Sequence, residues 1–346
     1  MIPFIMSDYH REREAQTLRL LEDISEFLPP ICRRFFMGIA QTTSPLTRLA
    51  YAYDLRIFFE FLAREITQFH GMAASDFDTA DIENIKIQDV ELYIDFLAKG
   101  TATNMRNGEK SIMRKVSCLR AFFRYLFKKD EIKSNIMPKI DLPKLHEKPI
   151  VRLDSGEVGR LLAAADGGAG LTKGQMRFHA ATKVRDETII VFFLATGVRI
   201  SELVGLNVGD IDLARGSFRV TRKGGGQTIL YMPAELKNQI SLYLGKDETV
   251  GNTTPLFKSL QNKRISVRAV QDLIKKYARL AAPLKNISPH KLRSTFGTNL
   301  YRTTKDIYIV ADVLGHRDVN TTKKHYAAIS DDVRKEAAQR VKIFAK

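Results

Sequence analysis

The sequence has few cysteines and no tryptophan; the two cysteines are Cys32 and Cys118. No second cysteine or histidine follows either one at a metal-ligand spacing. The sequence therefore excludes a disulfide framework and a zinc finger. We expect both cysteines to be ordinary core residues.

Long hydrophobic runs are also absent. No window approaches the roughly eighteen consecutive apolar residues that indicate a membrane-spanning helix. The first residues, MIPFIMSDYHRERE, have no basic region before a short apolar run and soon become charged, unlike a secretory leader. We therefore expect a cytoplasmic protein that makes no membrane contact.

The length of 346 residues is roughly twice the usual size of one domain, so we expect two domains. Hydrophobic residues make up 44% of the chain and charged residues 27%. These values are close to globular averages, and they exclude a mainly disordered or low-complexity chain.

Acidic residues are scarce outside the first third of the chain. Residues 1–98 carry 9 Lys and Arg against 16 Asp and Glu, whereas residues 99–148 carry 13 against 5 and residues 151–346 carry 33 against 18. With a net charge of +16, the two basic stretches are expected to face a polyanionic partner. A solvated basic surface is the alternative, because net charge informs association and solubility rather than fold.

Apolar residues recur with a period near 3.6 over the first 130 residues, which is typical of helices. Ser44 is a good N-cap, and Pro45 fits the first turn of a helix. The apolar side of this helix is predicted to consist of Leu46, Leu49, Tyr53, Phe58, Phe61 and Leu62. A second helix is predicted from Asp89 to Ala98.

A third helix is predicted from Ser111 to Lys128, with one apolar face and one basic face. Its apolar positions are Ile112, Val116, Leu119, Phe123 and Leu126. Its basic positions, which lie largely off that stripe, are Arg114, Lys115, Arg120, Arg124 and Lys128.

The periodicity stops at residues 137–153, MPKIDLPKLHEKPIVRL, where three prolines indicate an extended linker. We therefore predict an N-terminal extension at 1–43, a helical domain at 44–136, the linker at 137–153 and a second domain at 154–346. Residues 1–43 are given no role.

The second domain is predicted to be helical with a small sheet. Predicted helices cover Asp154 or Ser155 to Ala165, Arg185 to Thr196, 266–281, 289–302, 305–314, 320–328 and 331–343. A glycine-rich loop follows the first of them, and no role is assigned to the loop at 166–186. The stretch GSFRVTRKGGGQTILYMP has two short β-type runs around a glycine cluster, which predicts a hairpin. The fold class is therefore mainly α with a small antiparallel β-sheet.

Residues suited to phosphate chemistry fall in three segments of the second domain. The segments are TGVRISEL with Arg199 and Glu202, SPHKLR with His290 and Arg293, and VLGHRDVNTTKKHY with His316 and Tyr326. Glu202 lies one turn after Arg199 and can brace its guanidinium. His290 and Arg293 lie at the start of one helix, where exposed N–H groups favour an anion. An ordinary surface ion pair and a surface helix start remain the alternatives.

Lys223 lies at the tip of the predicted hairpin, directly before three glycines. Glycines allow a mobile loop, which can deliver the ammonium group to a ligand bound elsewhere. A solvated turn lysine is the alternative.

The four segments together resemble the tyrosine recombinase and phage integrase family, close to the bacterial Xer recombinases. ATGVRISELVGLNVGDID is similar to the box of the first catalytic arginine, and VTRKGGG to the hairpin that bears the lysine. SPHKLRSTFGTNL is similar to the HxxR box, and VLGHRDVNTTKKHYAAI to the final His and Tyr box. Two departures are Ser294, where the family often has histidine, and Arg222, a second cation beside the lysine.

The resemblance implies a catalytic role for each matching residue. Arg199 and Arg293 would hold the scissile phosphate while Tyr326 attacks phosphorus. Lys223 would protonate the leaving 5′ oxygen, and the two histidines, His290 and His316, would assist proton transfer. Fixed guanidiniums can stabilise the anionic transition state, so no metal or other cofactor is expected.

The resemblance also implies a site-specific DNA recombinase that grips double-stranded DNA as a two-domain clamp. Its working form would be a homo-oligomer, expected to be a tetramer on two sites, with accessory proteins as further partners. A last helix at 331–344 would dock on a neighbouring protomer. Further DNA contacts are predicted for Arg114, Lys115, Arg120, Arg124 and Arg222. Two matters stay open. The first is whether the role is chromosome dimer resolution or element integration and excision, and the second is whether the protein is instead a non-catalytic DNA-binding regulator or a type IB topoisomerase.

Overall fold

The structure is a computed structural model that describes residues 8–100, 106–142, 146, 151–222, 225–245, 251–315 and 319. The chain forms two compact units, Asp8–Lys148 and Pro149–Lys346. The described part is mainly helical and has one three-stranded antiparallel sheet, so the predicted fold class is confirmed. Each unit is described here by itself.

The regular elements among the described residues of the N-terminal unit are all helices. Its helices are α1 (Asp8–Ser25), α2 (Pro30–Gly38), α3 (Pro45–Glu65), α4 (Thr79–Glu83), α5 (Ile87–Lys99) and α6 (Glu109–Lys128). Short 3₁₀ turns at Thr67–Phe69, Ala74–Asp76 and Met137–Lys139 connect or follow them.

Helix α3 begins as the sequence predicts. The Ser44 hydroxyl accepts a hydrogen bond from the Thr47 N–H, and Pro45 occupies the first helical position. The predicted apolar side is only partly buried, because Leu46 and Tyr53 are exposed. Periodicity places both residues on the apolar side of the helix but does not show how wide the buried part of that side is.

Aromatic rings fill the core of this unit. Phe35 from α2 contacts Phe122 from α6 edge-on, and Phe58 from α3 contacts Tyr93 from α5 in the same way. Helices α1 and α2 add buried side chains to the same core, among them Leu21, Ile24, Ile31 and Phe36. Residues 8–38, for which the sequence predicted no role, therefore complete the hydrophobic core.

Both cysteines also belong to this core, as predicted. Cys32 and Cys118 are fully buried, and burial raises the pKa of each thiol. Neither thiol is therefore suited to act as a nucleophile.

The helices of the C-terminal unit surround one small sheet. They are α7 (Ser155–Gly167), α8 (Lys173–Thr196), α9 (Ile200–Gly205), α10 (Ala234–Leu244), α11 (Val267–Ala281), α12 (Pro289–Thr304) and α13 (Ile307–Leu314). The predicted helices at 320–328 and 331–343 lie outside the described residues.

The region predicted as a loop at 166–186 is mostly helix, so that prediction was wrong. Helix α8 begins at Lys173, where Thr172 and Gln175 form a reciprocal capping box. Only the residues around Gly168 form a turn, with Gly168 in the left-handed conformation that ends α7. Threonine and glutamine are an N-terminal helix signal, and the neighbouring glycines obscured it.

The predicted hairpin is confirmed as strands β2 (Ser217–Thr221) and β3 (Gln227–Tyr231), and β1 (Ile211–Asp212) pairs with the other side of β2. Phe218 of β2 faces the core and packs edge-on against Phe192 of α8. This contact anchors β2 on α8.

Candidate active site

Arg199 lies at the N-cap of α9, directly after the turn that ends α8. Gly197 makes this turn possible, because its φ of +61° is left-handed and a Cβ there would overlap the Phe296 ring. The Arg199 Nη1 donates to Glu202 Oε1 at 2.8 Å, and its backbone N–H donates to Glu202 Oε2 at 2.7 Å. The predicted brace is therefore confirmed, and Glu202 is almost completely buried.

Arg222 follows the last residue of β2 and binds the same carboxylate. Its Nη1 lies 3.3 Å from both carboxylate oxygens of Glu202, and its Nη2 donates to the Val313 carbonyl at 3.0 Å. Only 12% of the Arg222 side chain is exposed. Arg222 therefore lies inside the fold, not on the exposed surface expected of a DNA contact.

Arg293 lies on α12 and is also buried, at 4% exposure. Its Nη1 donates to the Gly197 carbonyl at 2.6 Å, and its Nη2 donates to the Leu314 carbonyl at 2.5 Å. These contacts hold the guanidinium between the end of α8 and the end of α13.

Three guanidiniums therefore meet at the C-terminal end of α13. Arg293 binds the Leu314 carbonyl, Arg222 binds the Val313 carbonyl, and Arg199 donates to the Gly315 carbonyl at 2.8 Å. The last carbonyls of a helix have no partner within it and carry the negative end of the helix dipole. They therefore attract and orient cations. In the sequence, His316 comes directly after Gly315, the residue that ends α13.

His290 lies in the first turn of α12 and is exposed. Ser288 occupies the N-cap position and Pro289 the first turn, as predicted, although the Ser288 side chain makes no capping hydrogen bond. His290 and Arg293 thus start one helix, but Arg293 faces the interior while His290 faces solvent.

Lys223, His316 and Tyr326 lie outside the described residues, as does the predicted last helix at 331–344. The base of the lysine hairpin is described: the Arg222 N–H donates to the Gly226 carbonyl at 2.7 Å, and the Gly225 N–H donates to the Arg222 carbonyl at 2.9 Å. Among the predicted catalytic residues, the structure therefore positions Arg199, His290 and Arg293.

The basic residues of α6 do not form one exposed face. Lys115 is buried, with its Nζ 3.6 Å from Asp54, so its assignment to the basic face was wrong. Arg114 bonds to the same carboxylate. Arg124 is exposed, and Arg120 is partly buried and donates to the Ile140 carbonyl at 2.7 Å. Asp54 on α3 explains the difference, because it supplies a counter-ion that allows Lys115 to be buried.

Within the described ranges, no group of three or more His, Cys, Asp or Glu side chains comes together as a candidate metal site. None of the helices in those ranges combines the length and the hydropathy needed to span a bilayer.

Family models match both units. The phage integrase family model matches residues 151–332, and the model of the phage integrase N-terminal SAM-like domain matches residues 34–130. A tyrosine recombinase XerC from Caldanaerobacter subterraneus subsp. tengcongensis is 35% identical over 326 residues, which cover 90% of this chain and 86% of the relative. The chain belongs to the phage integrase family. It is a tyrosine recombinase.

Other members of the phage integrase family support this assignment. A XerC from Pelobacter propionicus is 30% identical over 306 residues, which cover 88% of this chain and 90% of the relative. The solved structure of a lambda integrase tetramer bound to a Holliday junction has a TM-score of 0.61 and 15% identity, and the match covers 85% of this chain and 75% of that one. At this identity the structural likeness concerns the fold.

Sequence patterns missed two features of this tyrosine recombinase. The first is the role of α13, whose backbone carbonyls bind all three arginines and have no side-chain signature. The second is the partnership of Arg222 with Glu202. A glycine at each helix end, Gly197 and Gly315, was the available signal, because both have left-handed φ angles.

Proposed function

We propose that this tyrosine recombinase cuts and rejoins DNA through a covalent 3′-phosphotyrosyl intermediate. The observation that carries the proposal is the fixed pair Arg199 and Arg293, bound to adjacent carbonyls at the end of α13. Both guanidiniums are held before DNA binds, so they can stabilise a developing negative charge with little reorganisation.

The proposed cleavage step exchanges one phosphoester bond for another. The Tyr326 hydroxyl oxygen attacks phosphorus, and the bond between phosphorus and the 5′ oxygen breaks. Arg199 and Arg293 bind the non-bridging oxygens, and Lys223 gives a proton to the leaving 5′ oxygen. His290 and His316 accept the proton that the Tyr326 hydroxyl loses, and they orient the phosphate.

Rejoining is the reverse reaction with a different strand. A 5′ hydroxyl attacks the phosphotyrosine and gives its proton to Lys223, while the histidines return a proton to the released Tyr326. The number of phosphoester bonds is unchanged, so the reaction needs neither ATP nor an oxidant.

The DNA partner follows from charge. The two basic stretches, 99–148 and 151–346, are proposed to face the phosphates of duplex DNA, with residues 137–153 as the linker between domains 44–136 and 154–346. Arg114, Arg120 and Arg124 are the α6 candidates that retain exposed surface, although Arg114 also bonds to Asp54. Lys115 is buried beside Asp54, so its predicted DNA contact would require that ion pair to open.

The covalent adduct tests this function. Tyr326→Phe removes one hydroxyl, so it should abolish the denaturation-resistant protein–DNA band on a nicked substrate and leave DNA affinity nearly unchanged. Tyr308→Phe is the matched control, since Tyr308 is exposed on α13 and loses the same atom. An adduct of normal yield from Tyr326→Phe would refute the assignment.

The same assay separates the alternatives. A non-catalytic regulator forms no adduct on any substrate. A topoisomerase-like enzyme relaxes supercoiled DNA as a monomer, whereas a recombinase exchanges strands between two sites. Sequencing the DNA trapped in the covalent complex across a genome would identify the site, and its location would distinguish dimer resolution from integration and excision.

We further propose a tetramer on two DNA sites, supported by the lambda integrase tetramer noted above. The sequence interpretation assigns docking between protomers to residues 331–346. Their deletion should leave binding to one site intact but impair pairing of two sites and Holliday-junction formation. Normal pairing by a truncated protein whose circular dichroism is native would contradict this docking.

A further inference from the structure

Arg222 is a third arginine in the cluster that surrounds the end of α13. Its neighbour Lys223 is the proposed general acid, and the adjacent position in the sequence makes Arg222 an alternative candidate for that role. The geometry favours another role, because the guanidinium is turned away from solvent and its partners are Glu202 and two backbone carbonyls.

We propose that Arg222 is a positioning residue for the strand cleavage put forward above. It acts through Glu202 on Arg199, and through the carbonyls of Val313 and Leu314 on the chain segment that leads to His316. The expected effect on cleavage rests on the proposed function, whereas the contacts of Arg222 are seen directly in the structure.

The first link is the shared carboxylate. Glu202 has two oxygens, both within 3.3 Å of Arg222 Nη1, and Arg199 uses the same carboxylate through its side chain and its backbone N–H. A buried carboxylate between two cations is fixed by both of them. Loss of Arg222 would leave Glu202 with one cation and free it to move, together with the guanidinium of Arg199.

The second link is the end of α13. Arg222 Nη2 donates to the Val313 carbonyl at 3.0 Å, and its Nη1 lies 3.4 Å from the Leu314 carbonyl. The Leu314 carbonyl also accepts from Arg293. Arg222 therefore joins the first-arginine box and the HxxR box through one helix end.

Arginine and glycine are paired at this contact. A Cβ at residue 315 would lie 2.9 Å from Arg222 Cζ, so Gly315 gives the guanidinium its space. A planar guanidinium can donate to a carboxylate and to carbonyls at the same time, whereas a lysine ammonium is a point charge that cannot span both. The site is thus built for arginine in particular.

The third link is the hairpin itself. The backbone N–H and C=O of Arg222 close the loop at Gly226 and Gly225. Its side chain anchors that loop base to Glu202. The same residue therefore fixes the start of the loop that carries Lys223.

The kinetic test compares Arg222→Met with Arg219→Met. Arg219 lies on β2, three residues before Arg222, is 51% exposed and pairs with Asp210. Arg219→Met therefore removes the same positive charge, but from an exposed position. With saturating nicked DNA, Arg222→Met should slow single-turnover adduct formation by about a hundredfold, the scale of a small misplacement of catalytic groups. DNA affinity should stay within about threefold, and Arg219→Met should cleave like the wild type.

Two further measurements separate positioning from acid catalysis. A substrate with a 5′-bridging sulfur needs no proton on its leaving group, so it should rescue Lys223→Ala but not Arg222→Met. Combined with Arg199→Ala, Arg222→Met should add little further loss, because the two residues act as a unit. Rescue of Arg222→Met by sulfur, or fully additive losses, would overturn the proposal.

Amide hydrogen exchange on the DNA-free protein tests whether Arg222 holds its neighbouring segments, and it needs no activity measurement. Peptides that cover α9 and the last turn of α13 should exchange their amide hydrogens faster in Arg222→Met than in the wild type. Their exchange rates should be unchanged in Arg219→Met. Unchanged exchange in Arg222→Met would overturn the proposal. If the wild type forms no adduct, the proposed function fails, and the exchange result still decides whether Arg222 holds these segments.

Should Arg222→Met lose its native circular dichroism, Arg222→Lys replaces it in each measurement. The lysine keeps the charge beside Glu202 but cannot bind the carbonyls at the same time. Slow cleavage by folded Arg222→Lys supports the proposal, and wild-type cleavage by that variant contradicts it.

Discussion

Asp54 and Glu202 are both buried carboxylates that bind two cations, but their surroundings differ. The cations on Asp54 are consecutive residues of one helix, α6, and α3 supplies the carboxylate. The cations on Glu202 come from the N-cap of α9 and the end of β2, and both also bind carbonyls at the end of α13. One cluster joins two helices, whereas the other joins the start of α9, the end of β2 and the end of α13, and the proposed catalytic residues Arg199, Lys223 and His316 lie at or next to these ends in the sequence.

The two clusters differ as a structural ion cluster differs from a preorganised site. The partners of Asp54 secure the packing of α3 on α6, within an aromatic core. The arginines at Glu202 are held from two sides, by a carboxylate and by backbone carbonyls, so their positions are set before a substrate arrives. Substitutions in the second cluster should therefore affect chemistry more than stability.

The largest effect is expected at Lys223, which the hairpin base attaches to the second cluster. Lys223→Ala should slow cleavage by about 10²–10⁴-fold, the usual contribution of a general acid. The measurement is single-turnover adduct formation on ordinary and 5′-thio-substituted DNA, with Lys263→Ala, an exposed loop lysine, as the control. If sulfur restored Arg222→Ala and not Lys223→Ala, the acid would be Arg222.

The next largest effect is expected at the two clamping arginines. Arg199→Ala or Arg293→Ala should each slow cleavage by about 10²–10³-fold, the scale for one preorganised charge donor. DNA affinity should change far less. Arg268→Ala is the control, because Arg268 is an exposed arginine of α11 in the same unit. An affinity loss parallel to the rate loss would make these arginines general backbone contacts.

A smaller effect should follow from the same chemical change at both carboxylates. Glu202→Gln weakens charge-assisted hydrogen bonds to two arginines, so cleavage should slow by roughly 10–100-fold. Asp54→Asn makes the equivalent change in the other unit and should leave the cleavage rate of folded protein unchanged. Equal slowing by both variants would erase the distinction between the two clusters.

Local sequence signals predicted the elements that local chemistry determines. Ser44 caps α3, glycine ends α8 at Gly197, and the glycine cluster lies between β2 and β3. Glu202 was correctly expected to brace Arg199, because an i,i+3 spacing on a helix brings the two side chains together.

Features set by tertiary contacts were not predictable in this way. Lys115 is spaced like a surface lysine, but it is buried because Asp54, which is distant in sequence, supplies its counter-ion. The convergence of arginines on α13 depends on backbone carbonyls, which every sequence has. The start of α8 was missed because glycines around Thr172 outweighed its capping signal.

The smallest effect is a pH dependence of stability at the Asp54 cluster. Burial raises the pKa of Asp54 above its ordinary value, although Arg114 and Lys115 act in the opposite direction. Folded protein therefore holds a proton at Asp54 over a pH range in which the unfolded chain has released it. The contribution of this carboxyl to the free energy of unfolding is present at low pH and is lost as pH rises through the folded-state pKa.

Asp54→Asn isolates this contribution, because every other titrating group is shared with the wild type. At low pH the protonated carboxyl is uncharged like the asparagine amide, so the two proteins should have free energies of unfolding within about 1 kcal/mol of each other. The free energy of unfolding of the wild type should then fall relative to that of Asp54→Asn as pH rises from about 4, the ordinary pKa of an aspartate, towards neutrality. Urea unfolding of the full chain across that range measures it. A relative stability of the wild type that instead rises with pH would show that the two cations lower the pKa of Asp54 more than burial raises it.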